Sequence, residues 1–314
     1  LGLLVLIAIA ATQCPANNNI NNLLAGIIIP NPDSVTFNVA NNASSSSQNY
    51  MYTFAQTFRT APQLALGNQY LPGVQDFSLN YLAANNFAVA PASVSESQVS
   101  FQFDYSAPVW AKVKVNFWAS NNAQIQLGYL RVGTFTLIQQ RPSYAAEGCA
   151  YAYASISNAF GPNDNPVVRV FINGYDISTP TLQLSVAPTN LQATKLTIKV
   201  TAGSQTNLKR IWLSWLAFSP VSASFGSYGG QVSQNQYSGS VSSDISNSLY
   251  STPYIFYGLN LLSLVRSQPL AFSSSIDSNF VLTVSASSSV DSFSLVYIAV
   301  GVLPGNTALA VEAD

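Results

Sequence analysis

The sequence predicts an all-β protein in which tandem antiparallel β-sandwiches follow an extended apolar N-terminal arm. Three observations predict this fold class. From residue 34 onward, short runs alternate apolar and polar side chains, as in Phe101-Gln102-Phe103 and Leu182-Gln183-Leu184. Turn-forming residues separate these runs at close intervals, and no stretch sustains a helical apolar period. A pattern that recurs three times then divides the β region into modules.

Composition limits the function classes. Of the 314 residues 48% are hydrophobic and only 7% are charged, whereas a typical soluble domain carries about a quarter charged residues. Eleven Lys+Arg against twelve Asp+Glu leave a net charge of −1, which provides no basic footprint for a nucleic acid. The absence of histidine excludes His-based triads and His-ligated metals. We therefore predict no enzymatic activity, no cofactor, no metal and no nucleic-acid partner.

The same composition bears on self-association. A nearly neutral polar surface repels copies of itself only weakly, because net charge is what keeps proteins apart in solution. Such a surface suits a protein that packs against its own kind, and the alternative is simply an uncharged extracellular surface.

Residues 1–33 are predicted to form an apolar N-terminal arm. The apolar run at 1–11 is too short to span a bilayer as a helix, which needs about 20 residues, so no membrane span is predicted. We expect the arm to add to a neighbouring subunit by β-augmentation or by filling a groove. The alternatives are a leader sequence and an arm folded onto its own chain. The predicted assembly residues of the arm are Leu4, Val5, Leu6, Ile7, Ile9, Ile27, Ile28 and Ile29.

The apolar run also bears on localisation. It resembles the apolar core of a secretory signal, and Ala8-Ile9-Ala10 has the small-x-small form of a cleavage site. We therefore expect an extracellular protein. In that setting Cys14 and Cys149, the two cysteines of the chain, are predicted to form a disulfide within one chain or between neighbours. Asn42 begins the sequon Asn-Ala-Ser and is a predicted glycosylation site.

Each module contains one phrase, in which two apolar residues precede a proline. In the first and third copies they lie eight and four positions before it, and the second copy has two extra residues. An alternating strand follows each proline. The three copies are Phe54, Phe58 and Pro62; Ile156, Phe160 and Pro166; and Ile245, Leu249 and Pro253.

Each module then continues through a central strand and closes on an aromatic-x-Ala strand. The central strands are predicted at 87–89, 182–184 and 280–284. The large ring of the closing strand is expected to fill the core between two sheets. The modules therefore span 34–120, 121–220 and 221–303, and a C-terminal tail covers 304–314. The closing strands are Phe117-Trp118-Ala119, Trp215-Leu216-Ala217 and Tyr297-Ile298-Ala299.

This succession resembles the H-type lectin family, and the resemblance covers residues 34–303. It implies a six-stranded antiparallel β-sandwich in each module, a domain that often associates into trimers through its sheets. Gly128 and Gly226, ahead of the second and third modules, are in keeping with the glycine at the start of the family domain.

The resemblance also raises the question of sugar binding. Family members that bind N-acetylgalactosamine use an aromatic-His pair on the loop after the central strand. The corresponding stretches, 94–97, 187–190 and 287–291, contain neither an aromatic ring nor histidine, so the family's sugar site is not expected here. A different sugar site is predicted at Asp104, Tyr105 and Trp110, which makes glycans the second candidate partner.

The sequence therefore favours a secreted structural protein that self-assembles into a filament or surface layer. The alternative is a carbohydrate-binding lectin or adhesin of the H-type family. A hydrolase ranks third, because glycosidases need two facing carboxylates and no spaced pair stands out.

Overall fold

A computed structural model of the chain describes residues 35–39, 45–54, 57–58, 60–71, 85–106, 111–120, 125–133, 148–156, 166–179, 181–192, 194–218, 226–234, 240–244, 254–264, 272–276, 279, 281–286 and 290–301. Every regular element in these ranges is a β-strand, and every paired strand runs antiparallel to its neighbour. The predicted all-β fold is confirmed.

Eighteen strands follow one another in this part of the chain. Their bounds are β1 Val35–Val39, β2 Ser45–Thr53, β3 Gln63–Leu71, β4 Asn85–Val94, β5 Gln98–Ser106, β6 Ala111–Ser120, β7 Ile125–Val132, β8 Gly148–Ser155, β9 Val167–Ile177, β10 Leu182–Gln192, β11 Lys195–Ala202, β12 Leu208–Phe218, β13 Gly226–Gln234, β14 Ser240–Asp244, β15 Tyr254–Leu264, β16 Phe272–Ile276, β17 Val281–Ala286 and β18 Val290–Gly301.

The strands form three six-stranded sheets, and each sheet joins strands from two of the predicted modules. The orders are β1-β6-β3-β16-β17-β14, β2-β5-β4-β9-β12-β7 and β13-β18-β15-β10-β11-β8. Numbered within a module, the first, sixth and third strands lie in one sheet, and the second, fifth and fourth lie in another. The tandem-sandwich arrangement itself stays a prediction.

The junctions between the half-sheets follow one rule. The third strand of one module pairs with the fourth strand of another, as β9 with β4, β15 with β10 and β3 with β16. The last of these pairs joins the first module to the third, so the three junctions close a ring. We call them the β9–β4, β15–β10 and β3–β16 junctions.

One sequence alignment within the third module was wrong. Residues 281–284 of the predicted central strand lie in β17, which occupies the fifth position between β16 and β14, and residue 280 lies outside the described residues. The fourth position belongs to β16, with the sequence Phe-Ser-Ser-Ser-Ile. β16 contains three consecutive serines and therefore lacks the apolar alternation that indicates a strand. For this reason the sequence pattern pointed to the next apolar run as the central strand.

The aromatic-x-Ala strands build the core as predicted. Phe117, Trp215 and Tyr297 are all buried in one continuous apolar cluster. The residue between ring and alanine faces elsewhere, because successive strand residues point to opposite sides. Trp118 and Leu216 accordingly belong to a second buried cluster.

This second cluster draws on all three modules, and we call it the hub. The Trp118 indole stacks on the Phe256 ring at 5.5 Å between centroids, and Phe171 meets Phe256 edge-on at 5.0 Å. Both geometries are favourable for aromatic pairs and contribute about 0.5 to 1.5 kcal/mol each beyond area burial. Ala65, Leu127, Leu216 and Val296 complete the hub. Aromatic packing therefore holds the modules together at their centre.

A β-bulge interrupts the third strand of every module at the same place. The unpaired residue lies seven positions after the proline, and it carries an amide side chain in each case: Gln69, Asn173 and Asn260. A bulge inserts one residue into a strand and increases its local twist. The repeated bulge therefore lies beside each junction.

At the β9–β4 junction this amide is used in a buried hydrogen-bond network. The Asn173 Nδ2 donates to the Leu66 carbonyl at 2.8 Å, and the Leu66 amide donates to the Ser214 Oγ at 3.0 Å. Nearby, the Leu127 amide donates to the Gln63 Oε1 at 3.0 Å. These bonds satisfy backbone groups that would otherwise be buried without partners, and each one links the first module to the second.

Glycine faces the closing aromatic ring on two edge strands. Gly128 of β7 pairs with Trp215, and Gly230 of β13 pairs with Tyr297. The counterpart of Gly128 is therefore Gly230 rather than Gly226, which pairs with Gly301. A Cβ at Gly128 would overlap the Trp215 indole, so the ring covers a strand position that has no room for a side chain.

We predict that Gly128→Ala destabilises the protein by about 1 to 3 kcal/mol, because the added methyl displaces a core indole. Thermal unfolding followed by circular dichroism measures the effect. Gly133→Ala is the matched control, since a Cβ there meets no atom within 4 Å. Equal midpoints for the two variants would contradict the assigned contact.

Candidate functional site

Two edge strands at equivalent positions carry the exposed large apolar side chains of the described residues. β2 and β8 are the second strands of the first and second modules, and each lies at the edge of its sheet. Neither contains a charged residue or a proline. Natural proteins usually protect long edges with charges, prolines or bulges. These two strands lack such protection, and among the described residues no strand pairs with their outer edges.

The sequence of β8 produces a two-sided strand. Ala150, Ala152 and Ala154 are buried in the core, while Tyr151 and Tyr153 are 53% and 56% exposed. Small residues on the inner side allow close packing, and tyrosine is enriched both in strands and at interfaces. The strand therefore offers two rings to solvent beside its open edge.

The neighbouring strand β11 adds cations and a hydroxyl to these rings. Lys199 lies opposite Tyr151 and Thr197 opposite Tyr153 in the register, and the Lys195 Nζ lies 3.7 Å from the centre of the Tyr153 ring. A cation over a ring face is attracted by its quadrupole. We call these five residues the tyrosine face.

On β2 the exposed apolar residues are Tyr50 and Met51, at 42% and 60%. The strand is anchored by Tyr52, whose ring meets Phe117 edge-on at 5.1 Å. Exposed apolar residues beside an open edge thus occur in two of the three modules.

The predicted disulfide, glycosylation and arm residues fall largely outside the described ranges. Cys149 lies in β8, opposite Thr201, whereas Cys14 lies outside them, so the disulfide stays a prediction. Asn42 and the arm residues Leu4, Val5, Leu6, Ile7, Ile9, Ile27, Ile28 and Ile29 also lie outside them.

The predicted sugar cluster is described in part. Asp104 and Tyr105 are adjacent in β5, and Trp110 lies outside the described residues. The Asp104 carboxylate accepts a hydrogen bond from the Gln102 Nε2 at 2.8 Å, and the same amide donates to the Ser47 Oγ at 3.0 Å. The structure therefore places Asp104 in a ladder of polar side chains across β5 and β2, and the sugar site stays a prediction.

One of the stretches compared with the family's sugar loop is not a loop. Residues 187–190 lie inside β10, with a bulge between Pro188 and Asn190. β4 has a bulge at the corresponding place, between Pro91 and Ser93. Both follow the sequence Val-Ala-Pro, at 89–91 and 186–188, a repeat that indicates equivalent fourth strands.

Burial raises the pKa of two tyrosines, the buried Tyr175 and the half-buried Tyr129. Burial raises the pKa of Tyr175 well above its usual value of 10.0, because the charged phenolate would lose its hydration. Burial likewise raises the pKa of Tyr129, although Arg131 opposes the shift. Both phenols stay protonated in the folded protein at neutral pH and above.

Neither a candidate metal site nor a candidate membrane-spanning helix is present among the described residues. No group of three or more potential metal-ligating residues occurs among the described residues. In that same part of the chain, no helix is long and apolar enough to cross a membrane. No protein-family model, curated protein or solved structure matches this chain.

The exposed edges were missed in the sequence, although they leave a signal there. Ala-Tyr-Ala-Tyr-Ala at 150–154 alternates without a charge, and the stretch 45–53 combines apolar residues with uncharged polar ones. Which strands lie at a sheet edge depends on pairing between distant segments, and alternation alone does not reveal it.

We predict that stability falls steeply above about pH 10 because of Tyr175. Below that pH both the folded and unfolded chains keep the phenolic proton, so this residue adds no pH dependence. Above it the unfolded chain releases the proton while the folded chain retains it, and stability falls by about 1.4 kcal/mol per pH unit. Denaturant unfolding of wild type and Tyr175→Phe at about pH 8 and at about pH 11 measures the difference. Parallel losses in both proteins would refute the assignment.

Proposed function

We propose that this chain is a secreted structural subunit that assembles with copies of itself into an extracellular filament or surface layer. The observation that supports this most directly is β8, an eight-residue edge strand without charge or proline that exposes Tyr151 and Tyr153. An open edge of this kind is a template for a strand from another chain.

The energetics favour such an addition. A strand added to β8 pairs backbone groups that otherwise face water, and it covers apolar area of the two rings at about 25 cal/mol per Å². Little charge opposes the approach, since the whole chain carries a net charge of −1. A head-to-tail contact between unlike surfaces extends into an open polymer when its rotation does not close.

The arm is the proposed occupant of the edge. Its residues around 4–9 and 27–29 are rich in Leu, Ile and Val, which favour strands. An arm from a neighbouring copy beside β8 brings Cys14 to the strand that carries Cys149. One geometry therefore accounts for both the arm and the predicted disulfide, which would be intermolecular.

Carbohydrate binding is the second candidate, and the tyrosine face favours it. Exposed rings supply apolar surfaces, while Lys195, Lys199 and Thr197 supply hydrogen-bond donors. Sugars present the same combination of apolar faces and hydroxyl groups. A glycan array with monomeric protein separates the two candidates, because a lectin needs no polymer in order to bind.

We predict that the native protein forms regular fibres or sheets in negative-stain electron microscopy, and that Tyr151→Glu/Tyr153→Glu abolishes them. The substitutions remove both rings, and the new carboxylates repel one another wherever the contact between subunits is repeated. Lys195 and Lys199 offset the added negative charge within the folded subunit. Each 1.4 kcal/mol lost raises the critical concentration about tenfold.

The matched control is Gln183→Glu/Gln192→Glu, which adds the same charge at exposed positions of the interior strand β10. It should leave the polymer intact. Dispersed monomers or small closed trimers of the native protein would overturn the structural proposal, as would loss of polymer in the control alone.

Removal of residues 1–30 should also abolish the polymer while leaving the fold intact, because the proposed edge then lacks its occupant. Circular dichroism checks the fold, and electron microscopy checks the assembly. Unchanged fibres after truncation would eliminate the arm and leave direct contact between edges as the mode of association.

A further inference from the structure

A recess of about 280 Å³ lies at the β15–β10 junction. Its walls are apolar, formed by Val168 and Val170 of β9 and by Val296 of β18, and the exposed Pro188 of β10 lies at its rim. Two polar side chains line it as well, Arg169 and Asn260. Its volume lies just below the range of about 300 to 1,000 Å³ that is usual for small-molecule sites.

The recess corresponds, position for position, to the hydrogen-bonded network at the β9–β4 junction. Counted from each module's proline, Asn260 corresponds to Asn173 and Val170 to Leu66. Val296, the residue before the closing aromatic, corresponds to Ser214. The Ser214 hydroxyl accepts from Leu66, and a valine cannot do so. The substitution removes one bond of the network.

The bulge amide is left without a partner in this recess. The Asn260 Oδ1 is buried and accepts no hydrogen bond. The Oδ1 of its counterpart Asn173 is likewise buried without a partner, although the Asn173 Nδ2 donates to the Leu66 carbonyl. A buried amide oxygen without a partner costs about 1 to 3 kcal/mol, so it persists only where something offsets the cost.

Arg169 introduces a cation where the other modules have an apolar residue. Ala65 and Phe256 hold the corresponding positions in the hub. The Arg169 Nε donates to the Tyr297 carbonyl at 3.3 Å and its Nη1 to the Val168 carbonyl at 3.0 Å. Among the described residues the guanidinium has no carboxylate partner. Partial burial of the guanidinium lowers the pKa of Arg169 from its usual value, because it removes water from the cation.

We propose that this recess binds a small aliphatic carboxylate that carries a hydroxyl or amine group. The guanidinium provides the planar fork that pairs with a carboxylate. The Asn260 Oδ1 accepts from the hydroxyl or amine, and the valine walls contact the aliphatic body. Such a ligand gives the guanidinium a carboxylate partner and gives the Asn260 Oδ1 a hydrogen-bond donor.

The asymmetry among the junctions supports a binding role over a packing role. The residue before the closing ring is serine in the second module and valine in the third. The residue three positions after the proline is alanine in the first module and arginine in the second. Both differences affect the β15–β10 junction. A half-buried cation without a carboxylate partner opposes stability. Local departures from a well-satisfied arrangement are expected at functional sites.

The probe for the test is 2-hydroxy-4-methylpentanoate, titrated into the full-length protein by isothermal calorimetry. Two analogues separate its groups: 4-methylpentanoate lacks the hydroxyl, and 4-methylpentane-1,2-diol lacks the carboxylate. We expect the affinity to fall about tenfold or more without the carboxylate, and by a smaller factor without the hydroxyl.

Arg169→Met keeps the length of the side chain and removes its charge. We expect it to weaken binding of the probe at least tenfold and to leave the thermal midpoint of the free protein unchanged or higher. Arg131→Met is the matched control, because Arg131 is an exposed arginine outside the recess, and it should leave binding unchanged.

Ala187→Phe provides a second test that does not depend on the hub. Ala187 lines the recess at an exposed position, so the larger ring blocks entry without disturbing the core. Binding should be lost while the midpoint is kept. No measurable binding of the probe to the native protein, or binding retained in both variants, would overturn the proposal. Either result is independent of self-assembly, which electron microscopy reports separately.

Discussion

The fold depends on hydrogen bonding along both edges of three strands. β3, β9 and β15 each pair on one side with the sixth strand of their own module and on the other side with the fourth strand of another module. A module separated from its neighbours would expose these third and fourth strands as new edges, and exposed edges invite aggregation. Half-sheets are therefore stable only as parts of the ring, and we expect the three modules to fold and unfold together.

The hub explains why this ring is apolar at its centre and polar at its periphery. Trp118, Phe171 and Phe256 supply large rings on the side of the sheets opposite the main core. In the second module the third and sixth strands are therefore buried on both faces, over residues 170–177 and 211–217. On the edge strand β8 the sequence returns to strict alternation, with alanine inside and tyrosine outside.

Much of this architecture could be predicted from the chain, and the limit has a physical cause. Alternation and turn spacing predicted strands, and the aromatic-x-Ala pattern located the buried closing strands at 117–119 and 215–217. Pairing between modules could not be predicted, because a third strand has the same sequence pattern whether its neighbour comes from its own module or another. The polar strand β16 was missed because its serines carry no apolar period. Arg169 was not recognised as a candidate binding residue. It stands out only when it is compared with the alanine and phenylalanine at the equivalent positions of the other modules. The arm, Cys14, Asn42 and Trp110 lie outside the described residues, and the functions assigned to them rest on the sequence.

Residues 69, 173 and 260 are bulged at equivalent positions of the three modules, but each is encoded by its own codon. In a trimer of identical chains, one codon change would alter all three junctions at once, so a polar network could be lost only everywhere or nowhere. Here all three junctions belong to one polypeptide. One junction can therefore have a valine where another has a serine, and that other junction keeps its hydrogen bonds. A continuous chain thus allows one junction to diverge in sequence from its counterparts without changing them.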